Sequence, residues 1–203
     1  MLKQHYRMHD EIAALVSRYY HHRLVCSTER QMAALDKGRE DHRLRSRLIW
    51  IETPSSAQDY YDPLQVEIIK QLVADFSQAG LIDDPGKDLG IVAPYRAMIH
   101  ALKSDLDQFT IDTVERFQGS ERKIIILTLP LRKASSLRHL QALSDDASVD
   151  RKLNVAISRA VERLIVIGNS ALCRQARHYH ELCKHIRERG KIIEYQELGV
   201  NHG

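Results

Sequence analysis

Two stretches near opposite ends of the sequence place an arginine beside residues suited to phosphate or base chemistry. They are Gln4-His5-Tyr6-Arg7-Met8-His9 and Leu153-Asn154-Val155-Ala156-Ile157-Ser158-Arg159-Ala160. A guanidinium presents a planar fork of donors that matches phosphate oxygens, and an aromatic ring offers a flat apolar face. Taken singly, each is also what an arginine on a helix surface looks like, the usual place for that residue. Three further segments lie between them. Pro94-Tyr95-Arg96 closes an apolar run and opens a helical stretch, where free backbone N–H groups can seat an anion. Tyr95 would equally suit the core, against Trp50 or Phe109. Thr113 carries a hydroxyl of the kind that fixes position on phosphate, and as a β-branched residue it fits an ordinary strand just as well. In Gln118-Gly119-Ser120-Glu121 the glycine either admits a ligand close to the backbone or marks a plain turn before a strand.

Other chemistries have weaker footing. Asp112 followed by Glu121-Arg122-Lys123 matches loosely the acid…acid-x-Lys pattern of metal-dependent nucleases. There are 11 histidines and three cysteines, Cys26, Cys173 and Cys183, but no C-x-x-C pair. His178 and His180 stand two apart and so point to different faces of a helix, and no metal site is expected. No G-x-x-x-x-G-K-[ST] phosphate loop occurs; Asp84-Pro85-Gly86-Lys87 lacks both the leading glycine and the following hydroxyl. A second carboxylate motif of the kind that holds magnesium in phosphate-loop motors is missing as well.

The elements that would position these residues alternate. Leu48–Ile51, Leu89–Ala93, Thr110–Val114, Lys123–Leu129 and Leu164–Ile167 read as strands, with Ile192-Ile193 as an edge strand. Apolar residues at helical spacing mark helices over Glu11–Tyr20, Leu64–Phe76, Ala97–Leu106, Arg151–Ala160 and Leu172–Ile186. Alternating strands and helices imply an α/β fold, a parallel sheet with helices on both faces, in which ligands sit beyond the carboxyl ends of the strands. Two polar stretches, Thr28–Arg47 and Arg132–Asp150, read as surface excursions, and the arginines of Arg39–Arg47 and Arg174–Arg189 as solvated faces.

The 203 residues suit one domain, and 43% hydrophobic with 28% charged residues is the balance of a globular chain with a core. A net charge of +3 permits a polyanionic partner without demanding one. Neither a membrane span nor a secretory signal is visible, so no membrane association is expected, and the cytoplasm, or the nucleus in a eukaryote, is the expected location.

In order and spacing, the segments around Arg7, Tyr95, Gly119 and Arg159 resemble the motifs of the second motor domain of superfamily 1 helicases. The nearest likeness is the 5′-to-3′ branch that includes the nonsense-mediated-decay helicase and the replication helicase-nuclease. The pattern departs at His5, where glutamine is usual, at Asp10, where proline is usual, and at Val161, where lysine is frequent. The resemblance implies a RecA-like fold of the P-loop NTPase type spanning residues 1–203. It also implies an ATP-driven motor on single-stranded DNA or RNA. Tyr6 would stack on adenine, Arg7 and Arg159 would be the catalytic γ-phosphate arginines, and Gly119 and Glu121 would line the nucleotide. Pro94, Tyr95 and Thr113 would lie along the nucleic-acid strand. ATP and Mg2+ would be held mainly by an N-terminal motor domain absent from this chain, which alone would hydrolyse ATP negligibly. A catalytically silent nucleic-acid- or partner-binding module, and a metal-dependent nuclease, are the alternatives.

Overall fold

Apolar runs without polar interruption are what a strand covered on both faces requires, and the computed structural model builds its sheet from them. It describes residues 8–17 and 45–200, together with the backbone of two short strands, β1 (Gln4–His5) and β2 (Val25–Cys26), which pair in parallel. The main sheet comprises β3 (Leu48–Glu52), β4 (Leu89–Val92), β5 (Thr110–Asp112), β6 (Arg122–Leu129), β7 (Ala160–Gly168) and β8 (Lys191–Glu194). Their order is β5-β4-β6-β7-β3-β8, and every pairing is parallel. The described helices are α1 (Asp10–Ser17), α2 (Pro63–Gln78), α3 (Pro85–Asp88), α4 (Arg96–Lys103), α5 (Leu137–Leu140), α6 (Arg151–Ser158), α7 (Ser170–Cys173) and α8 (Arg177–Arg189).

Successive strand residues point to opposite faces, and two cores follow. Leu48, Trp50, Val92, Ile125, Leu127, Leu164 and Val166 pack with α1, α6 and α8 on one face. Ile49, Ile51, Leu89, Ile91, Ile124, Ile126, Ile165 and Ile167 pack with α2 and α4 on the other. This is the three-layer α/β arrangement of a RecA-like domain. Two buried aspartates fix how helices leave the sheet. Asp62 accepts from the N–H groups of Leu64 and Gln65 ahead of α2, with Pro63 at its first position. Asp150, fully buried, accepts from those of Lys152 and Leu153 and so aims α6.

The structure corrects several boundaries. β7 begins at Ala160, four residues before the apolar run, where Ala160 pairs with Arg122 of β6. The single helix expected over 172–186 is two, α7 and α8, separated where Gln175 and Ala176 bond back three residues to Leu172 and Cys173 and Ala176 turns extended. Arg132–Asp150 is not wholly surface, since Leu137 and Leu140 of α5 are buried in the first core. Arg47, expected in solvent, is 4% exposed; Arg39 and Arg43 lie outside the described residues.

Candidate functional site

The chemistry-bearing residues fall at two opposite edges of the sheet. At the amino-terminal edge, α6 ends on Arg159, whose backbone carbonyl accepts the N–H of Arg122 where β6 begins. Arg159 is buried, 8% exposed as a residue. Its Nη1 donates to the carbonyl of Ser120 at 3.1 Å, its Nε to that of Val155 at 3.2 Å and its Nη2 to Ser158 Oγ at 3.0 Å. A charged donor thus ties the last turn of α6 to the Gln118–Glu121 turn, 39 residues earlier. Gly119 in that turn has φ +85°, a backbone state that requires glycine, and a Cβ there would meet nothing within 4 Å. The glycine is therefore demanded by conformation, and the space above it is open. Glu121 beside it is exposed.

Tyr6 and Arg7 lie outside the described residues. The residues that follow them, Met8 and His9, are buried, and the His9 N–H donates to the carbonyl of Val161 at 2.9 Å, two residues past Arg159.

The carboxyl-terminal edge carries the other group. Asp112 pairs with Val92, and Val92 with Leu127, while Ala160 pairs with Arg122 five residues earlier on the same strand. At the rise of a parallel strand that separates the edges by roughly 16 Å. Here Pro94 and Thr113 line one pocket together with Val92, Leu127, Leu129, Leu153, Tyr179, Glu115 and Lys152. Glu115 Oε1 is 3.0 Å from Lys152 Nζ and also takes a hydrogen bond from Thr113. Burial pushes the Glu115 carboxyl up, but these bonds and the Lys152 charge outweigh it and hold its pKa below the usual value. Tyr95 is half-buried and packs edge-on against Tyr60, with ring centroids 4.9 Å apart at 78°. Desolvation, then the neighbouring Tyr60 and Asp59, raise its phenol pKa.

Residues 113–121 join the two edges. Short-range bonds such as Phe117 N–H to the Val114 carbonyl coil this segment, and Phe117, 1% exposed, anchors it to the sheet. The anchor needs Gly90, since a Cβ there would lie 2.6 Å from Phe117 Cε1. The same geometry separates Asp112 from Glu121, at opposite edges, and Lys123 is ion-paired with Asp88 at 2.9 Å. The carboxylates of the nuclease pattern are not brought together.

Sequence reasoning missed two arginines at the amino-terminal edge. Arg47 and Arg163 each stand just before an apolar run, in the twin triplets Arg47-Leu48-Ile49 and Arg163-Leu164-Ile165, and Leu48 pairs with Leu164. Both are buried and depressed in pKa by desolvation; beside Arg163, the Arg47 charge adds to that depression. The repeated triplet was the available signal.

The parallel sheet, with helices on both faces, defines a three-layer α/β domain. The family model described as AAA domain, AAA_12, matches residues 1–171, and the chain belongs to this family, as a domain of the superfamily 1 helicase kind. Among relatives, the chain is 29% identical over 210 residues to the probable helicase senataxin of Homo sapiens, covering 97% of this chain and 8% of that protein. It is 24% identical to the RNA helicase Mov10l1 of Mus musculus, over 83% of this chain and 15% of the relative. It is likewise 24% identical to the regulator of nonsense transcripts 1 homolog of Neurospora crassa, over 70% and 13%. The chain thus spans only a small part of the length of these relatives. A solved C-terminal domain of a possible DNA helicase from Lactobacillus overlaps it with a TM-score of 0.43 at 13% identity, over 94% of this chain and 98% of that one, too loosely to bear on fold or function.

Proposed function

We propose that this domain is one half of an ATP-driven motor on single-stranded nucleic acid, with its nucleotide wall at the amino-terminal edge of the sheet and its strand track at the carboxyl-terminal edge. The observation that carries this reading is the bond from Arg159 to Ser120, which joins two separate motifs beside the open space over Gly119. The chemistry there suits an anion, because the Arg159 guanidinium, held by Val155, Ser158 and Ser120, borders that space. Bound ATP would supply a γ-phosphoryl group whose transfer to water drives the cycle, with Mg2+ neutralising its oxygens. No cluster of three or more acidic, histidine or cysteine side chains among the described residues could hold a metal ion. Mg2+ and the phosphate loop would belong to a partner motor domain.

Within this scheme Tyr6 stacks on the adenine, and Gly119 and Glu121 border the nucleotide. Arg7 and Arg159 donate to the γ-phosphate oxygens as the two motor domains close, Arg159 exchanging the Ser120 carbonyl for phosphate. A fixed cation at that position is worth on the order of 10³-fold or more in rate. The 113–121 segment, anchored by Phe117, couples the nucleotide turn to Thr113 on the strand side. Pro94, Tyr95 and Thr113 contact the strand backbone, so binding depends little on sequence. No described helix is long and apolar enough to cross a membrane.

Magnesium-dependent ATPase assays test the proposal. The 203-residue chain alone is expected to show negligible turnover. Joined to a phosphate-loop motor domain it should hydrolyse ATP, and Arg159→Ala should reduce that rate by about 10³-fold. Robust turnover by the isolated chain, or an unchanged rate in the variant, would overturn it.

A further inference from the structure

Tyr60 lies outside every motif considered above, in the loop between β3 and α2. At 56% exposed it is a large aromatic left in solvent, and its backbone sits at φ +69°, a left-handed state that tyrosine rarely adopts. Strain of this kind persists only where surrounding contacts enforce it, and it clusters at ligand sites. The loop that carries it is tied down. The Ser56 N–H donates to the Leu131 carbonyl at 2.8 Å, the Asn169 amide to the Thr53 carbonyl at 3.0 Å, and Asp59 pairs with Arg132 at 3.4 Å. These bonds tie the loop to the chain leaving β6 and β7, at the carboxyl-terminal edge. The ring meets Tyr95 edge-on, which leaves an exposed aromatic surface beside the pocket bordered by Pro94 and Thr113. Exposed cations rim the same edge, Arg96, Arg132, Lys133 and Arg138.

An exposed ring held rigid by a strained loop, buttressed by a second ring and surrounded by cations, matches what single-strand binding needs: a π-face for a base and positive charge for the backbone. We infer that Tyr60, buttressed by Tyr95, is a base-stacking platform for the single strand. This rests on the proposed strand track and adds to it a contact with the bases, where Pro94, Tyr95 and Thr113 were assigned to the backbone.

The test is fluorescence anisotropy of the full chain with labelled oligothymidine and with an abasic oligomer of equal charge, over a range of salt. Tyr60→Gly removes the ring and relieves the backbone, so its thermal midpoint should equal or exceed that of the wild type while oligothymidine binding weakens about 5- to 160-fold, the range of one stacked base. Tyr60→Phe should bind as the wild type does. The abasic oligomer should bind wild type and Tyr60→Gly alike, and the slope of log K against log salt should not change, since no phosphate contact is lost. Wild-type binding that Tyr60→Gly leaves intact would overturn the platform and leave the strand track standing. So would a loss shared by the abasic oligomer or accompanied by an altered salt slope. Absence of wild-type binding would overturn the strand track itself, and the platform with it.

Discussion

Replacing Gly90 with alanine tests the contact that holds the two edges in register. The added methyl would sit 2.6 Å from Phe117 Cε1, 3.0 Å from Arg122 Cγ and 3.1 Å from Ile125 Cδ1. Carbon atoms pack at about 3.5–4.0 Å, so the ring must retreat by about 1 Å. Phe117 is 1% exposed and packed within the first core. Overpacking of this kind costs about 1–3 kcal/mol, against which alanine returns about 0.5–1 kcal/mol of chain entropy. The expected net loss is about 1–2 kcal/mol. Urea unfolding followed by the fluorescence of Trp50 measures it, because Trp50 is the chain's single tryptophan and fully buried. Phe117→Leu in the same background should recover part of the loss, as a coupling energy of about 1 kcal/mol in a double-mutant cycle. Gly90→Ala at wild-type stability, with no coupling to Phe117, would refute the claim that this glycine seats the crossover.

Two other sites give independent expectations. Burial pushes the Asp88 carboxyl up, but the N–H groups of Asp83 and Asp84 and the Lys123 ammonium outweigh it and hold the pKa below 3.8. A carboxyl depressed in the folded state stabilises it above the unfolded pKa, and that stability is lost as pH falls through the lower folded value. Asp88→Asn should therefore cost about 1–3 kcal/mol at pH 7 and flatten the stability–pH curve below about pH 4, as read by urea midpoints across pH. At the strand edge, Glu115 occupies Lys152 and the Thr113 hydroxyl. Glu115→Gln should tighten oligothymidine binding and steepen the salt slope by about 0.7, one added phosphate contact; an unchanged slope would show that Lys152 does not reach the strand.

How much of this was legible in the sequence depends on the range of the interaction. The strands could be placed because each is an unbroken apolar run, and for the same reason their facing could not: Leu48, Ile49, Trp50 and Ile51 are all buried, so nothing in the residue types separates the two cores. Strand order rests on pairings such as Leu48 with Leu164, more than a hundred positions apart, and no local signal specifies it. The break before α8 carries neither glycine nor proline, so the helical period ran through it. Arg47 was read by its charge, although its place just before the buried strand β3 governs it. The meeting of the Arg159 and Gly119 segments was anticipated from the motif pattern. Their position at the amino-terminal edge was not, because the general expectation for open α/β sheets puts ligands at the carboxyl ends. Tyr60 belonged to no motif, and its backbone strain exists only in three dimensions.

Amide chemical-shift mapping of the 15N-labelled chain, titrated separately with Mg·ATP and with oligothymidine, addresses the two-edge arrangement directly. ATP should move Gly119, Ser120, Glu121, Arg159 and Ala160, and the strand should move Tyr60, Tyr95, Thr113 and Lys152, with little overlap between the sets. Shifts from ATP gathered around Thr113 and Lys152, or one common set for both ligands, would contradict a nucleotide wall and a strand track on opposite edges of the sheet.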